Sequence, residues 1–348
     1  MKKDKIISSI ILSIFFIIFS IFNFGEYYDF HKQKIENKEI YTNNKNILEN
    51  FDIKNIKQIE NISLKHTPNK DLLDEIVKKI EKSKEKVYIE VYMFTENRIK
   101  TALIKAKKRG IDIKIILEKD PYMAYSINDK TYNELKKNNI DVVWSNTKNY
   151  SLNHSKMLII DDEVILSTGN LTYSTFTQNR DLFVFIKDEK ILNDFLKIFD
   201  YDFNGIKNYI ENENIVISPD NSRIKIEKLF ESAKNDIKIY MQYLNDEKMN
   251  KKLIELKKKN NLQIQVVIAE TSVNNDITKS LLKAGIEIKK IPKYKMHSKA
   301  ILIDNETIFI GSVNFSSYSL DKNRELGILT KDKQLIMDFL SVFKTDFK

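Results

Sequence analysis

The stretch "NHSKMLIIDDEVILSTGNLT" (residues 153–172) returns almost unchanged as "MHSKAILIDNETIFIGSVNF" (residues 296–315). In each copy a histidine stands two residues before a lysine, and an aspartate follows five residues after that lysine. The alternating, β-branched residues predict a strand, and the apolar residues that follow predict a return strand that completes a hairpin. Residues i and i+2 of a strand share a face, so the histidine and the lysine of each copy are expected on the same side.

Both copies carry the same set of polar residue types. The first copy supplies His154, Lys156, Asp161, Thr168 and Asn170. The second copy supplies His297, Lys299, Asp304, Ser312 and Asn314. An imidazole, an ammonium, a hydroxyl and an amide that converge at one end of a hairpin suit an anion with several oxygens, above all a phosphate. The two aspartates begin the hairpin turns, where aspartate is common, and are predicted to hold those turns without taking part in the chemistry.

A carboxylate that orients each imidazole is expected further along the chain, in the segments "QNRDL" and "KNREL". Asp181 follows His154 by 27 residues, and Glu325 follows His297 by 28. The first hairpin lacks one residue, which the pattern places in its return strand. That missing residue accounts for the difference in spacing and supports the alignment of the two copies.

The rest of the chain repeats in the same order. Strands are predicted at 86–95, 111–118 and 140–144 in the first half, and at 236–244, 262–269 and 286–291 in the second. Helices are predicted at 98–109, 132–137, 249–259 and 278–283. The sequence therefore predicts an α/β fold of two similar lobes, at residues 65–208 and 209–348, each with a largely buried sheet.

The N-terminus predicts a membrane anchor. Three lysines among the first five residues precede an uncharged apolar run at residues 6–24, close to the ~20 residues that a spanning helix needs. The positive-inside tendency then puts the N-terminus in the cytoplasm. A cleaved signal peptide is the alternative, but no small-residue cleavage site follows the run. Residues 1–24 are thus expected to anchor the chain once in the cell membrane, with a polar stalk at 25–64 and the catalytic part on the extracytoplasmic side.

Composition excludes some classes of site. The chain has no cysteine, which rules out disulfides, thiolate nucleophiles and cysteine-ligated zinc. A zinc site at the histidines is rejected because each histidine shares its face with a lysine, which repels a divalent cation, and no third ligand has suitable spacing. Neither a metal nor a cofactor is expected. The net charge of +9 suits phosphate-bearing partners, although lysine is abundant everywhere in this chain.

The motif His-x-Lys-x4-Asp with Gly-Ser-x-Asn, present twice, resembles the phospholipase D superfamily, which includes phospholipases D, cardiolipin synthases and metal-independent nucleases. The resemblance covers about residues 65–348. The second copy matches in full, whereas the first has Ser167 for Gly, Thr168 for Ser and one deleted residue. The resemblance implies a pseudo-dimer of two lobes, each a mixed β-sheet flanked by helices. One active site at their interface would bring His154 and His297 together at one phosphate.

The chemistry expected of such a site is phosphodiester cleavage. One imidazole attacks phosphorus to form a phosphohistidine, and the other protonates the leaving alcohol. The resemblance favours His154 as the nucleophile and His297 as the acid. Lys156, Lys299, Asn170 and Asn314 are expected to hold the non-bridging phosphate oxygens as charge develops. His31 and His66 lack such company and are predicted to be incidental.

The sequence leaves the substrate open. Hydrolysis of phospholipid headgroups is favoured by the predicted anchor. An exported endonuclease would use the basic surface to hold nucleic acid. A cardiolipin-synthase-like phosphatidyltransferase would use an alcohol instead of water, but such enzymes usually resemble proteins with two membrane spans. A phosphate-binding module without catalysis would lack a catalytic residue, and neither copy does. The oligomeric state is left open.

Overall fold

The structure is a computed structural model that describes residues 51–207, 209–260 and 262–348. The predicted anchor at 1–24 and most of the predicted stalk lie outside these residues. Within the described part of the chain, no helix combines the length and the apolar character that crossing a membrane requires.

The first lobe alternates strands and helices. Its strands are β1 (Ile62–His66), β2 (Lys86–Val91), β3 (Asp112–Leu117), β4 (Asp141–Trp144), β5 (Lys156–Ile160), β6 (Glu163–Ser167), β7 (Asn179–Arg180) and β8 (Leu182–Ile186). Its helices are α1 (Lys70–Lys82), α2 (Asn97–Lys108), α3 (Asp129–Lys137), α4 (Tyr173–Thr177) and α5 (Glu189–Asn204). A short 3-10 helix (Ile53–Asn55) precedes them.

The second lobe follows the same plan. Its strands are β9 (Ile215–Ser218), β10 (Asp236–Met241), β11 (Gln263–Ile268), β12 (Glu287–Lys290), β13 (Lys295–Met296), β14 (Lys299–Ile303), β15 (Thr307–Gly311) and β16 (Glu325–Thr330). Its helices are α6 (Ser222–Glu231), α7 (Glu247–Asn260), α8 (Ser272–Lys283), α9 (Ser317–Asp321) and α10 (Lys333–Asp346).

Each lobe is built on a seven-stranded mixed sheet. The strand order is β4-β3-β2-β5-β6-β8-β1 in the first lobe and β12-β11-β10-β14-β15-β16-β9 in the second, so the two sheets correspond strand for strand. The first three strands of each order run parallel, and the others pair antiparallel. The predicted α/β fold of two similar lobes is confirmed.

The two sheets share one hydrophobic core. Helices α5 and α10 contribute Phe195, Phe199, Phe339 and Phe343 to a single buried cluster that also includes residues from both sheets. Separate cores lie against the other face of each sheet, beneath α1 and α2 in the first lobe and beneath α6 and α7 in the second. The lobes are therefore packed together through their inner faces.

Two details of the predicted boundaries change. Phe51, Ile56 and Ile59 are buried, and β1 pairs with β8. The structure thus includes residues 51–64, which the sequence assigned to the stalk, in the folded body. The prediction of a shorter return strand was wrong, because β6 and β15 have five residues each. The first hairpin is instead one residue shorter in its turn.

Candidate active site

Each histidine segment pairs with a segment of the opposite lobe. Strand β13, just before His297, pairs with β7, and the backbone N–H of His297 donates to the carbonyl of Arg180 at 3.1 Å. The first copy repeats this geometry: Asn153 forms a bridge with Arg324, and the N–H of His154 donates to the Arg324 carbonyl at 2.8 Å. The backbone of one lobe therefore fixes the histidine of the other.

The carboxylates consequently serve the histidines in a crossed arrangement. Nδ1 of His154 lies 2.8 Å from Oε2 of Glu325, and Nδ1 of His297 lies 2.8 Å from Oδ1 of Asp181. The spacing in the sequence grouped each acid with the histidine of its own copy, and the structure exchanges them. Because Nδ1 of each ring contacts a carboxylate, Nε2 is the ring atom that remains to act on a ligand.

Both histidines line one pocket of about 710 Å³ between the lobes. Asn170, Asn314 and Glu325 line it too. The rest of the lining consists of Tyr92, Met93, Tyr122, Leu152, Gln242, Tyr243, Asn245, Ser316, Tyr318, Ser319 and Asn323. The structure thus brings the two imidazoles and the two motif asparagines to a single cavity.

The two lysines are buried beside the histidines. Strands β5 and β14 begin at the lysines, so each histidine lies two residues before the strand that was expected to carry it. Nζ of Lys156 donates to the carbonyl of His154 at 2.5 Å, and Nζ of Lys299 donates to that of His297 at 2.6 Å. Nζ of Lys299 also lies 3.4 Å from Nε2 of His297. Each ammonium is thus close to the imidazole that precedes it.

The motif asparagines are not used by the protein itself. Oδ1 of Asn170 and Oδ1 of Asn314 are buried and have no hydrogen-bond partner among the described residues. Buried amide groups are rarely left in this state. Because the oxygens are the buried atoms and both residues line the pocket, the amide N–H groups are the part of each side chain left to bind an oxyanion.

The motif hydroxyls lie behind the site instead of in it. Thr168 Oγ1 donates to Asp181 Oδ1 at 2.8 Å and accepts from the N–H of Leu182. Ser312 Oγ accepts from the N–H of Leu326 at 3.0 Å, and a hydrogen bond from Ser312 lowers the pKa of Glu325, against the effect of burial. Neither hydroxyl lines the pocket, so their placement does not support the predicted contact with phosphate. They position the carboxylates.

The two turn aspartates lie outside the pocket lining and bind backbone. The carboxylate of Asp161 accepts from the N–H groups of residues 84–86 at 2.9 to 3.1 Å. That of Asp304 accepts from the N–H groups of residues 234–236 at 2.7 to 2.9 Å. Each aspartate therefore connects its hairpin to the start of the neighbouring central strand, β2 or β10.

Burial opposes the charged form of most groups in the site. It lowers the pKa of both histidines and of Lys156, lowers that of Lys299 to about 8, and raises that of Glu325 to about 8. Asp181 differs. Burial alone would raise its pKa, but His297, Lys299 and Thr168 outweigh burial and hold it below its usual value. Asp181 is thus the carboxylate that stays ionised.

The sequence reasoning missed a pair of buried ion pairs that join the lobes. Arg180 donates to both carboxylate oxygens of Asp346 at 2.7 and 2.9 Å. Arg324 donates to Oδ1 of Asp202 at 2.7 Å. The repeated "NR" before each acid and the repeated "FxxDF" of α5 and α10 were the available signal. His66, predicted to be incidental, has its Nδ1 2.8 Å from Nη1 of Arg180.

Glu90 supports only the first histidine segment. Its Oε1 accepts from Asn153 Nδ2 at 2.7 Å and from Ser155 Oγ at 2.6 Å, on either side of His154. Among the described residues, Oε2 of Glu90 and Oδ2 of Asp202 are both buried without a donor, and burial raises the pKa of both groups. Because Glu90 and Asp202 are hydrogen-bonded to each other, one shared proton would satisfy both oxygens. At the matching position in the second lobe, the hydroxyl of Tyr240 donates to Asp346.

A family model described as "Cardiolipin synthase, PLD-like domain" matches residues 76–203 and 226–347, once in each lobe. Among curated proteins, the "Phospholipase D" of Rickettsia prowazekii is 32% identical over 138 residues, which cover 39% of this chain and 65% of that protein. The "Cardiolipin synthase 1" of Bacillus anthracis is 23% identical over 328 residues, covering 79% of this chain and 64% of that protein. The chain thus spans less than two thirds of either relative.

Solved structures with low sequence identity share the fold. A phosphatidylserine synthase of Haemophilus influenzae superposes with a TM-score of 0.69 at 13% identity, over 88% of this chain and 90% of that one. A polyphosphate kinase of Porphyromonas gingivalis superposes with a TM-score of 0.65 at 16% identity, over 82% of this chain and 50% of that one. With a PLD-like domain in each lobe and the repeated His-x-Lys motif at their interface, the chain belongs to the phospholipase D superfamily.

Proposed function

We propose that the chain is a phospholipase D-like phosphodiesterase that hydrolyses phospholipid headgroups through a phosphohistidine. The observation that carries this proposal is the pair of imidazoles in one pocket, each with Nδ1 against a carboxyl group of the opposite lobe. Two fixed imidazoles at one site supply the nucleophile and the acid that phosphodiester cleavage requires.

The carboxyl groups favour different roles for the two histidines. Burial lowers the pKa of both histidines, but Asp181 stays ionised and its negative charge opposes that effect at His297, so a proton is held more readily on His297 than on His154. Glu325 has its pKa raised to about 8 by burial, so a neutral imidazole is favoured at His154. His154 is therefore assigned as the nucleophile and His297 as the general acid.

The reaction then has two balanced steps. In the first, Nε2 of His154 forms a bond to phosphorus, the bond from phosphorus to the headgroup oxygen breaks, and His297 gives its proton to that oxygen. In the second, a water molecule gives a proton to His297 and attacks phosphorus, and the bond from phosphorus to His154 breaks. The enzyme returns to its starting protonation state.

The lysines and asparagines stabilise the charge on the phosphate oxygens. An anionic phosphate in the pocket favours the protonated form of Lys156 and Lys299 and offsets the effect of burial on their pKa. Asn170 and Asn314 line the pocket, and their side-chain N–H groups would donate to the non-bridging oxygens. These four side chains supply the electrostatic part of catalysis.

Phospholipid is the substrate that the relatives support, since their names are phospholipase D and cardiolipin synthase. The proposal includes tethering to the cell membrane through the apolar residues 6–24, with the site on the extracytoplasmic side. A tether of this kind would hold the pocket at high local concentration near its substrate.

Transfer of the phosphatidyl group to an alcohol is the second candidate. The cardiolipin synthases align over 79% of this chain, whereas the phospholipase D relative aligns over 39%. Both reactions proceed through the same phosphohistidine and differ in whether water or an alcohol attacks it.

In the test, the full-length protein is incubated with EDTA and with one of three labelled substrates in parallel: phosphatidylglycerol, phosphatidylcholine or DNA. Release of a lipid headgroup supports the proposal, and cleavage of DNA without lipid turnover would replace it with the endonuclease. Glycerol added to the phosphatidylcholine reaction separates the candidates: phosphatidic acid indicates hydrolysis, and phosphatidylglycerol indicates transfer.

A p-nitrophenyl phosphodiester tests the two histidine roles, because its leaving group departs without a proton. We expect His297→Ala to release p-nitrophenol in a stoichiometric burst and to accumulate phosphate on His154. His154→Ala should show no burst and no covalently bound phosphate. A burst from His154→Ala with none from His297→Ala would reverse the assignment, and full turnover by either variant would refute a shared site.

A further inference from the structure

One connection of the first lobe is much longer than its counterpart in the second. Residues 118–128 join β3 to α3, whereas residues 269–271 alone join the equivalent elements β11 and α8. Since the second lobe forms the same sheet with a three-residue connection, the fold does not require the longer one. We call residues 118–128 the β3–α3 loop.

The base of this loop is fixed to the wall of the pocket. The side chain of Asn128 donates to the carbonyls of Tyr92 and Glu118 at 2.8 and 2.7 Å, and accepts from the N–H of Phe94. The hydroxyl of Tyr92 accepts from the N–H of Tyr122 at 2.6 Å. Tyr92 itself lies against the ring of His154, with centroids 4.7 Å apart. The loop is thus held in one position relative to the site.

The tip of the loop presents large apolar side chains to solvent. Tyr122, Met123 and Tyr125 are exposed by 70%, 81% and 68%. The backbone of Met123 has a φ of +58°, a left-handed conformation that is unfavourable for a non-glycine residue. Residues 121–127 ("PYMAYSI") carry no charge in a chain in which 31% of residues are charged. An uncharged, apolar tip that the fold does not need indicates a function outside the folded body.

The tip lies at the mouth of the pocket. Tyr122 is both exposed and part of the pocket lining. Tyr318, from the second lobe, also lines the pocket and is 57% exposed, with Nζ of Lys322 4.3 Å from its ring centroid. Whatever surface the tip contacts therefore lies next to the entrance through which a substrate reaches the histidines.

We infer that Tyr122, Met123 and Tyr125 insert into the interfacial layer of a phospholipid bilayer and hold the pocket mouth at the headgroups. This inference deepens the proposed function, because it specifies a lipid substrate that is drawn from an intact bilayer. Tyrosine suits the boundary between headgroups and acyl chains, and methionine suits the apolar side of it.

The charge of the tip favours lipid over nucleic acid. A nucleic acid strand would be held by lysine or arginine at its phosphates, and residues 121–127 have neither. The charged residues that flank the tip, Lys119 and Asp120 on one side and Asp129 and Lys130 on the other, cancel. Insertion should thus depend on apolar burial and respond weakly to salt.

The test places a single tryptophan at the tip of the full chain. Trp144→Phe removes the native indole, and Phe keeps a ring for its stacking with Tyr132. Met123→Trp in this background is compared with Met337→Trp, which replaces an exposed methionine (55%) on α10. Both proteins are reconstituted with phosphatidylglycerol vesicles whose acyl chains carry bromine, which quenches indole fluorescence on contact.

We expect the tryptophan at position 123 to be quenched and blue-shifted, and the tryptophan at 337 to keep an aqueous spectrum. Equal quenching at the two positions, or an aqueous spectrum at 123, would overturn the inference. This readout does not depend on turnover. Quenching at 123 in a protein that cleaves only DNA would refute the proposed function and support the loop insertion. Lipid turnover without quenching at 123 would support the proposed function and refute the loop insertion.

Kinetics supply a second measurement. Met123→Ser together with Tyr125→Ser removes apolar side chains that do not line the pocket. The double variant should hydrolyse vesicle phosphatidylglycerol about tenfold more slowly and a water-soluble p-nitrophenyl phosphodiester at the original rate. Met337→Ser should leave both rates unchanged. An equal loss on both substrates would show that the loop acts on the pocket itself and would refute insertion.

Discussion

His154 and His297 occupy equivalent positions, yet their carboxyl partners favour different protonation states. Asp181 is held ionised by His297, Lys299 and Thr168, whereas burial raises the pKa of Glu325 to about 8. An internal repeat would otherwise give two interchangeable histidines. In the proposed mechanism, this difference between the carboxyl groups favours attack by one imidazole and a proton on the other.

Lys299 predicts an alkaline limit to activity. Its pKa is lowered to about 8, chiefly by burial, so the free enzyme loses this positive charge as the pH rises through about 8. We expect kcat/KM for a p-nitrophenyl phosphodiester to fall about tenfold per pH unit above that value. This substrate needs no acid for its leaving group, so Lys299 and Glu325, whose pKa is also about 8, are the site groups that titrate in this range.

Lys299→Arg is the control for that limit, since arginine stays protonated in this range. Its rate should be lower overall and should fall less between pH 7 and 10 than the rate of the wild-type protein. A wild-type profile that is flat over this range would show that Lys299 does not carry the required charge.

Gly169 lies where an added Cβ would clash with side chains next to the site. A Cβ at this position would lie 2.5 Å from Oδ2 of Asp181 and 2.8 Å from Cγ2 of Thr175. Gly169→Ala should displace the carboxylate that orients His297 and lower kcat by about 100-fold. The measurement is kcat together with the melting temperature.

Gly110→Ala is the matched control. A Cβ at position 110 would have no atom within 4 Å, but the backbone there has a φ of +91°. The substitution should lower stability by about 1 kcal/mol and leave kcat unchanged. If Gly169→Ala changed only stability in the same way, the contact with Asp181 would have no catalytic importance.

The sequence could predict the residue types of the site but not all of their contacts. The paired His-x-Lys motif and the asparagines were recognisable because they occur at matching positions in both copies of the repeat. The crossed pairing of His154 with Glu325 was not, because spacing along one copy cannot reveal which lobe's carboxylate is near. The hydroxyls of Thr168 and Ser312 were assigned to phosphate for the same reason, although they contact the elements that carry the carboxylates.

Strands and helices are joined across the lobes by the two buried Arg–Asp pairs. Arg180, in β7, is paired with Asp346 at the end of α10, and Arg324, next to β16, is paired with Asp202 in α5. Each arginine is also part of the segment that fixes a histidine of the opposite lobe. The helices that form the shared core thus also hold the strands that position the site.

Asp346→Asn should be more destabilising than Asp202→Asn. Loss of Asp346 leaves the buried guanidinium of Arg180 without a countercharge, at a cost of about 3–5 kcal/mol. Loss of Asp202 leaves Arg324 paired with Asp220 at 3.2 Å and allows the neighbouring Glu90 to become ionised, so we expect about 1–2 kcal/mol. Urea unfolding at pH 7 measures both values.

Glu90→Gln combined with Asp202→Asn is the control, because it removes both buried carboxyl groups near Arg324 and leaves Asp220, whose Oδ2 lies 3.2 Å from Nη1, as its partner. The double variant should cost more stability than Asp202→Asn alone. If Asp202→Asn alone were as damaging as Asp346→Asn, the shared proton between Glu90 and Asp202 would be ruled out.

The central strands were predictable as elements because they are runs of β-branched residues. The sequence placed strands at 86–95 and 236–244, which the structure shortens to β2 and β10. The edge strands β1 and β9 have only five and four residues, which is too short for an extended alternation of apolar and polar residues. The position of α5 and α10 between the two sheets is a tertiary property that their helical pattern does not encode.

The folded part of the molecule has one central core that both lobes share. Phe195 and Phe199 from α5 and Phe339 and Phe343 from α10 belong to a single buried cluster with residues of both sheets. Separating the lobes would expose all of this apolar surface, at a cost far above the stability of an ordinary domain. The two lobes should therefore fold as one unit despite their internal similarity.

Calorimetry tests this unity. We expect residues 51–348 of the full chain to unfold in one transition, with equal calorimetric and van't Hoff enthalpies. Asp346→Asn should shift the whole transition to lower temperature without splitting it. Two transitions, with only one displaced by the substitution, would show that the lobes melt independently.

The exchange of carboxylates between the halves has a consequence for ancestry. Neither half holds a complete set: each contributes one ring and the acid that serves the ring of its counterpart. A single-copy forebear with this geometry could have worked only as a symmetric pair of identical chains. A chain that carries both copies in tandem lets them differ, as the short connection between β11 and α8 and the aromatic β3–α3 loop do.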